Sequence, residues 1–179
     1  MKRLLLSLAI LAVVVIADQM TKLWAVERLA EQPSIEIIGD AVRLTLVYNE
    51  GGAMGTRLGS SNVYLFLAIA VLGVIGWFIY SHRMHLPSLI ALSSVAGGAV
   101  GNIIDRIRLG KVIDFIDVDI PDISILGLNL DRWWTFNIAD AAISCAIVYL
   151  LLVFLFQKEK ETPVSPIDAS SFPSPSDAQ

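Results

Sequence analysis

The sequence is short of charge and almost without cysteine. Only 17% of its 179 residues are Asp, Glu, Lys or Arg, where a soluble domain carries about 25%. Its single cysteine, Cys145, excludes an intramolecular disulfide framework and a cysteine-based metal site. Lying inside an apolar run, Cys145 reads as a small buried hydrophobe. No basic cluster points to nucleic acid as a partner, and there are no internal repeats. The net charge of −4 says little, because several acids fall in loops and a tail.

What the chain does have is apolar residues, 55% of the total, with a mean hydropathy of +0.68. They are gathered into runs rather than spread in amphipathic periodicity, which predicts an integral membrane protein. Four runs stand out, at about 4–24, 63–80, 86–104 and 138–156. Each is near the roughly 20 residues that cross about 30 Å of hydrocarbon as a helix. In lipid the backbone must satisfy its own hydrogen bonds, so helices are the natural spans. The first run has the Lys2-Arg3 start of a cleavable signal peptide. It lacks a small-x-small cleavage site and three more spans follow, so it reads as a retained span.

Lys2 and Arg3, Arg83 with His82 and His85, and Lys158 with Lys160 lie in short segments that must share one side of a four-span protein. Being basic, these segments are assigned to the cytoplasm, with both termini inside. The opposite side receives the segments at about 25–62 and 105–137. Within the first, Ile35 to Ile38 and Val42 to Tyr48 show β-branched residues and partial alternation around a Gly39-Asp40 turn. The second carries Asp117, Asp119 and Asp122, which read as loop acids, Asp131, and a Trp133-Trp134 pair suited to the membrane interface. The predicted fold is an all-α membrane protein with four transmembrane helices, a small extracytoplasmic β-sheet and an outer re-entrant or loop segment. It fills residues 1–157, and residues 158–179 form a cytoplasmic tail whose Pro and Ser predict disorder. A monomer is expected.

Against that apolar background the polar residues carry the information. Asp114 sits in Val112-Ile113-Asp114-Phe115, and Asp140 in Asn137-Ile138-Ala139-Asp140-Ala141. A carboxylate beside hydrocarbon is costly, and is by default a functional hypothesis. Taken singly, Asp140 also reads as a helix-dipole or capping carboxylate, and Asp114 as a loop aspartate. Asp114 lies in a short apolar run that is expected to re-enter the outer surface beside spans three and four. Asn137, Asp140, Ala141 and Ser144 fall on one face of span four, aimed at protein.

Span three ends in Gly97-Gly98-Ala99-Val100-Gly101-Asn102-Ile103-Ile104-Asp105-Arg106. Gly97, Gly101 and Asp105 are four apart on one face, with Gly98 and Asn102 beside them. Small residues admit a neighbouring helix, while Asn102, Asp105 and Arg106 need polar partners at the membrane edge. Arg106 faces a different partner from Asp105. Asp18 and Lys22 lie four apart on span one, as in a simple exposed ion pair. Asn49 precedes Gly51-Gly52-Ala53-Met54-Gly55, a flexible stretch able to approach a ligand closely.

The order Asp18-x-x-Thr21-Lys22, Asn49-x-Gly51-x-Ala53, Gly97-Gly98-x-x-Gly101-Asn102-x-x-Asp105-Arg106, Val112-x-Asp114-Phe115 and Phe136-Asn137-x-Ala139-Asp140, on four spans, resembles the bacterial lipoprotein signal peptidase (signal peptidase II) family. The resemblance covers about residues 4–156. Gly52, Met54 and Ala141 depart from the more usual Ala, Phe and Ser, and the loop from Asp117 to Trp134 is long. The resemblance implies an aspartic peptidase of the bacterial inner membrane, with no metal and no cofactor. Its substrate would be a diacylglyceryl-modified prolipoprotein, cut just before the lipidated cysteine at the outer face while the acyl chains stay among membrane lipid. By resemblance Asp114 and Asp140 are the catalytic dyad. Asp18, Lys22, Asn49, Gly51, Gly98, Asn102, Asp105, Arg106 and Asn137 would support the site or bind substrate.

Two other classes compete with this reading. In a transporter or channel, Asp18, Asp105 and Asp140 would line a proton or cation path. Four spans are few for that role, and no inverted repeat or interrupted helix pair appears. A structural membrane subunit would tolerate loss of both Asp114 and Asp140.

Overall fold

The computed structural model describes residues 1–51, 60–119, 123–125, 128–130 and 135–156. In chain order the elements are α1 (Lys2–Leu29), β1 (Ile35–Ile38), β2 (Val42–Asn49), α2 (Ser61–Ser81), α3 (Leu86–Leu109), β3 (Val112–Val118), β4 (Ile123–Ile125), β5 (Leu128–Leu130) and α4 (Ile138–Phe156). The four helices are each long and apolar enough to cross a membrane. The tail, Gly52, Ala53, Met54, Asp122, Asp131 and the Trp133-Trp134 pair lie outside the described residues.

Two helices, α1 and α3, outrun the predicted spans by more than a turn. With 28 residues, α1 is about 42 Å long, more than the hydrocarbon needs. Its last turns pack mainly against the sheet. Ala25 and Leu29 are fully buried there against Phe115, with Ile35, Leu44, Leu46, Ile116 and Ile138 around them. Burial of Leu29 and Phe115 stabilises this end by about 1.5–3 kcal/mol each. At its other limit, α3 continues past Ile104 to Leu109 and stops at Gly110, whose φ of 70° closes the helix in the left-handed conformation.

Central in the bundle is α3, which the other three helices pack against. Its buried residues run from Leu89 to Asp105, whereas α2 buries Ile75 and α4 buries Ala139 and Ala146. The remaining faces of α1, α2 and α4 are large, apolar and exposed, as lipid contact requires. Lipid tails are as apolar as a leucine, so close packing and polar links hold the bundle. A buried Ser7–Ser93 hydrogen bond of 2.7 Å ties α1 to α3.

The glycines divide the work of close approach. A Cβ on Gly97 would meet Val14 Cβ of α1 at 2.8 Å. One on Gly98 would meet the backbone carbonyl of Ala139 at 2.6 Å and Ile143 Cγ1 of α4 at 2.7 Å. A carbonyl cannot turn aside, so Gly98→Ala must push α3 and α4 apart. The expected cost is about 1–3 kcal/mol, read as a lower unfolding midpoint in detergent. An unchanged midpoint would show that the two helices tolerate separation here.

Beside the bundle, β1, β2 and β3 form an antiparallel sheet in that order, with Val47 opposite Asp114 and Asn49 opposite Val112. The expected sheet is therefore present, but Val112 to Ile116 is its third strand and not a re-entrant segment. Strand pairing to β2 satisfies the backbone that a re-entrant loop would leave open. Phe136 closes the far edge through reciprocal hydrogen bonds with Ile116. A separate two-stranded hairpin, β4–β5, lies in the second long segment.

Three further expectations are corrected. Asp117 is no loop acid: it is buried in β3 and accepts a 3.0 Å hydrogen bond from Thr45. Ser144 is exposed, because the inward face of α4 follows Ala139, Ile143 and Ala146, with Asp140 on its flank. Cys145 is likewise on the outer surface of the bundle rather than in its core.

Candidate active site

Asp18, Lys22, Asn49, Asn102, Asp105, Arg106, Asp114, Asn137 and Asp140 meet at the sheet end of the bundle, where α1, α3, β3 and the start of α4 converge. Lys22 is the hub. Buried to 1% exposure, its ammonium donates to Asp18 Oδ2 at 2.9 Å, Asp105 Oδ2 at 2.8 Å and Asn102 Oδ1 at 2.9 Å. An ammonium has three N–H donors, and all three are engaged. The Asp18–Lys22 pair is thus not the exposed helix-end pair its spacing suggests; Asp105 and Asn102 draw it into the interior.

Asp18 works across helices. Its Oδ1 accepts the Ala139 N–H at 3.0 Å, capping the first turn of α4 from α1. Gly101 makes room for it, since a Cβ there would overlap the Asp18 carboxylate. The same turn of α4 is capped by its own chain, with Asn137 Oδ1 accepting the Asp140 N–H at 2.9 Å. The capping role foreseen for Asp140 therefore belongs to Asp18 and Asn137, which leaves the Asp140 side chain free for another partner. That partner is Asn102, whose Nδ2 donates to Asp140 Oδ1 at 2.8 Å.

Asp114 reaches the same cluster from the sheet. Its Oδ1 accepts from Asn137 Nδ2 at 2.7 Å and its Oδ2 from Asn49 Nδ2 at 3.0 Å. Asn137 also donates to Ile113 O and Asn102 Oδ1, both at 3.2 Å. One asparagine thus touches the Asp114 side chain, the Asp140 backbone and the amide that holds the Asp140 side chain. Burial, then the nearby Asp140 carboxylate, pushes the Asp114 carboxyl up from 3.8 to about 7, against the opposing hydrogen bonds from Asn49 and Asn137.

Gly51 and Arg106 complete the rim. Asn49 Oδ1 accepts the Gly51 N–H at 2.9 Å, and Gly51 O accepts from Arg106 Nη2 at 3.1 Å. Arg106 lies over the Tyr64 ring of α2 at 5.8 Å, and so serves different partners from Asp105. Gly98 contributes packing one turn away from the carboxylates. Two residues of this neighbourhood escaped the sequence reading, Tyr64 and Gln19. Gln19 carries a signal, an amide directly after Asp18 and within a turn of Thr21 and Lys22 in an otherwise apolar helix. Among the described residues no group of three or more His, Cys, Asp or Glu is placed to hold a metal ion.

Four helices long and apolar enough to span a membrane, with a buried carboxylate-centred polar cluster at one end, define the class: a multi-pass membrane protein. A family model for signal peptidase (SPase) II matches residues 10–156, and the chain belongs to that family of proteases. The lipoprotein signal peptidase of Syntrophomonas wolfei is 38% identical over 151 residues, covering 83% of this chain and 91% of its own. That of Halothermothrix orenii is 36% identical over 153 residues, covering 84% and 95%. A solved structure described as a bacterial membrane enzyme superposes with a TM-score of 0.70 at 29% identity, covering 85% of this chain and 94% of its own. A second, with a TM-score of 0.68, is 31% identical and covers 87% and 93%.

Proposed function

We propose that the protein is an aspartic endopeptidase that removes the signal peptide from diacylglyceryl-modified prolipoproteins, cutting before the lipidated cysteine. The observation that carries this reading is the double engagement of Asn137, which couples Asp114 to Asp140. Two neighbouring carboxylates do not both ionise cheaply, so the pair holds one proton. The ionised member takes a proton from water, and the protonated member hydrogen-bonds the scissile carbonyl. As water attacks, the protonated member gives its proton to the carbonyl oxygen, forming a tetrahedral diol. The first carboxyl, now protonated, passes its proton to the leaving amine as the C–N bond breaks. A diol hydroxyl returns a proton to the second carboxylate, and the C=O re-forms.

The surroundings suit that chemistry. Asn137 and Asn49 hold the two oxygens of Asp114 and Asn102 holds one oxygen of Asp140, which orients both carboxyl groups for water and substrate. The pair sits at the end of the helices, so acyl chains remain in hydrocarbon while the peptide bond reaches the carboxylates. Lys2, Arg3 and Arg83 mark the opposite end of the bundle, and their positive charge supports a reading with both termini in the cytoplasm and the site at the outer face.

The test is cleavage of a diacylglyceryl-cysteine peptide and its unlipidated twin by purified protein, with the products identified by mass. The lipidated peptide alone is expected to be cut, at the bond before its cysteine. The shared proton is lost as pH rises past the Asp114 value of about 7, so the rate should fall on the alkaline side. A rate that climbs steadily into alkali, or equal cutting of both peptides, would remove the reading.

A further inference from the structure

We propose that Gln19 is a positioning residue for the Asp114–Asp140 pair, acting through Asp105 on the backbone that carries Asp114. This rests on the aspartic-peptidase reading. Gln19 Nε2 lies 3.0 Å from Asp105 Oδ1, 3.2 Å from Asp18 Oδ2 and 3.2 Å from Gly101 O. Counting donors shows why it matters. Lys22 has spent its three N–H groups on Asp18 Oδ2, Asp105 Oδ2 and Asn102 Oδ1. The Gln19 amide reaches the one carboxylate oxygen of Asp105 that the ammonium does not.

Asp105 in turn holds the strand. Its Oδ2 accepts the Ile113 N–H at 3.2 Å, while Ile113 O accepts from Asn137. The residue before Asp114 is therefore clamped on both of its backbone polar groups. If Asp105 Oδ1 loses its donor, a buried acceptor is left unsatisfied, and turning the carboxylate about its Cβ–Cγ bond to bring Oδ1 toward the Lys22 ammonium becomes favourable. Oδ2 then leaves the Ile113 N–H, and the Asp114 carboxyl shifts with it. Small displacements of a reacting group are costly in rate while leaving substrate affinity nearly intact.

Glutamate at this position separates positioning from mere packing. It has the shape of glutamine, and its protonated form donates one hydrogen bond; its ionised form would set a third carboxylate against two acceptors. The ionisable groups facing this amide are Asp18 and Lys22 on α1 and Asp105 on α3. Past the asparagines stand Asp140 at the start of α4 and Asp114 on β3, while Arg106 of α3 is turned to Gly51. Function in Gln19→Glu is thus expected to return as pH falls.

The experiment uses the full chain in lipid nanodiscs. In Gln19→Leu, kcat is expected to fall about tenfold with KM within about twofold of wild type. In Gln19→Glu, the ratio of its rate to wild type should match Gln19→Leu near about pH 8 and approach one near about pH 5. Amide exchange at Ile113 should quicken about tenfold in Gln19→Leu. Met20→Leu, on the exposed face of the same turn, should change neither. A wild-type kcat in Gln19→Leu, a pH-independent Gln19→Glu ratio, or unchanged Ile113 exchange each overturns the proposal. Should Gln19→Leu fail to fold, Gln19→Glu at low pH carries the test. If the wild type itself cuts nothing, the dyad reading falls, and Ile113 exchange still decides whether Gln19 holds Asp105 and the strand.

Discussion

Asp114→Asn and Asp140→Asn should each lower cleavage by about ten-thousand-fold in a folded protein. Asparagine keeps the size of the side chain and one acceptor oxygen, so Asn137 still has a partner at position 114 and Asn102 at position 140. What each variant removes is the ability to exchange a proton, which the mechanism requires of both residues in turn. Either loss breaks the cycle, so the double variant should be no worse than the singles. Retention of activity within about tenfold by either variant would exclude the dyad.

The same substitution at 114 should improve stability while abolishing function. The folded protein raises the Asp114 carboxyl from 3.8 to about 7, so the folded state holds this proton more tightly than the unfolded chain. By linkage, the stability Asp114 contributes is fully present below 3.8 and is lost as pH rises through about 7. Asparagine carries no charge to bury at any pH. The unfolding midpoint of Asp114→Asn should therefore match or exceed wild type at neutral pH and depend less on pH. Such a trade is expected where a buried carboxyl is kept for chemistry.

Lys22→Met is expected to be the most damaging single change to the fold. It deletes the ammonium that three buried acceptors share and leaves Asp18 and Asp105 side by side without a cation. Removing one partner from a buried ion cluster costs about 3–5 kcal/mol, because the remaining charge is stranded. Detergent-solubilised Lys22→Met should unfold far earlier than wild type, and its amide exchange at Ile113 and Ala139 should rise. Adding Asp105→Asn relieves the stranded charge and should recover about 1–3 kcal/mol, a coupling that a double-mutant cycle measures. Additive losses would mean that the two residues do not interact. Lys22→Arg is not a safe substitute, since the planar fork cannot aim single donors at three converging oxygens.

Much of this was legible from residue order. Four apolar runs of spanning length require helices in lipid, whatever surrounds them. The glycine and polar pattern of α3 announced a helix that others approach closely, and spacing alone separated the partners of Asp105 and Arg106. Asp18, Lys22, Asn102 and Asp105 stood out because polar groups in a membrane span must be paired with something. Gln19 obeys the same rule, but a neutral amide beside Asp18 in sequence does not reveal that its partner is Asp105 on another helix.

What residue order does not encode is which groups meet across elements separated by tens of residues. Val112 to Ile116 became a strand because β2 offered its backbone a ladder, a long-range pairing that its short apolar pattern does not specify. Asp117 is buried because Thr45 and Arg43 stand across that ladder. Whether Asp140 caps its own helix or turns elsewhere depended on Asp18 and Asn137 taking the cap first. The sequence by itself determined the membrane class, the helices and the polar inventory of the site, since these follow from local hydrophobicity and the cost of unpaired polarity. The pairing of Asp114 with Asp140 through Asn137, and the division of labour among the supporting residues, were decided by the tertiary structure. Only there do the limited donors of one lysine, one glutamine and a few asparagines have to be shared out.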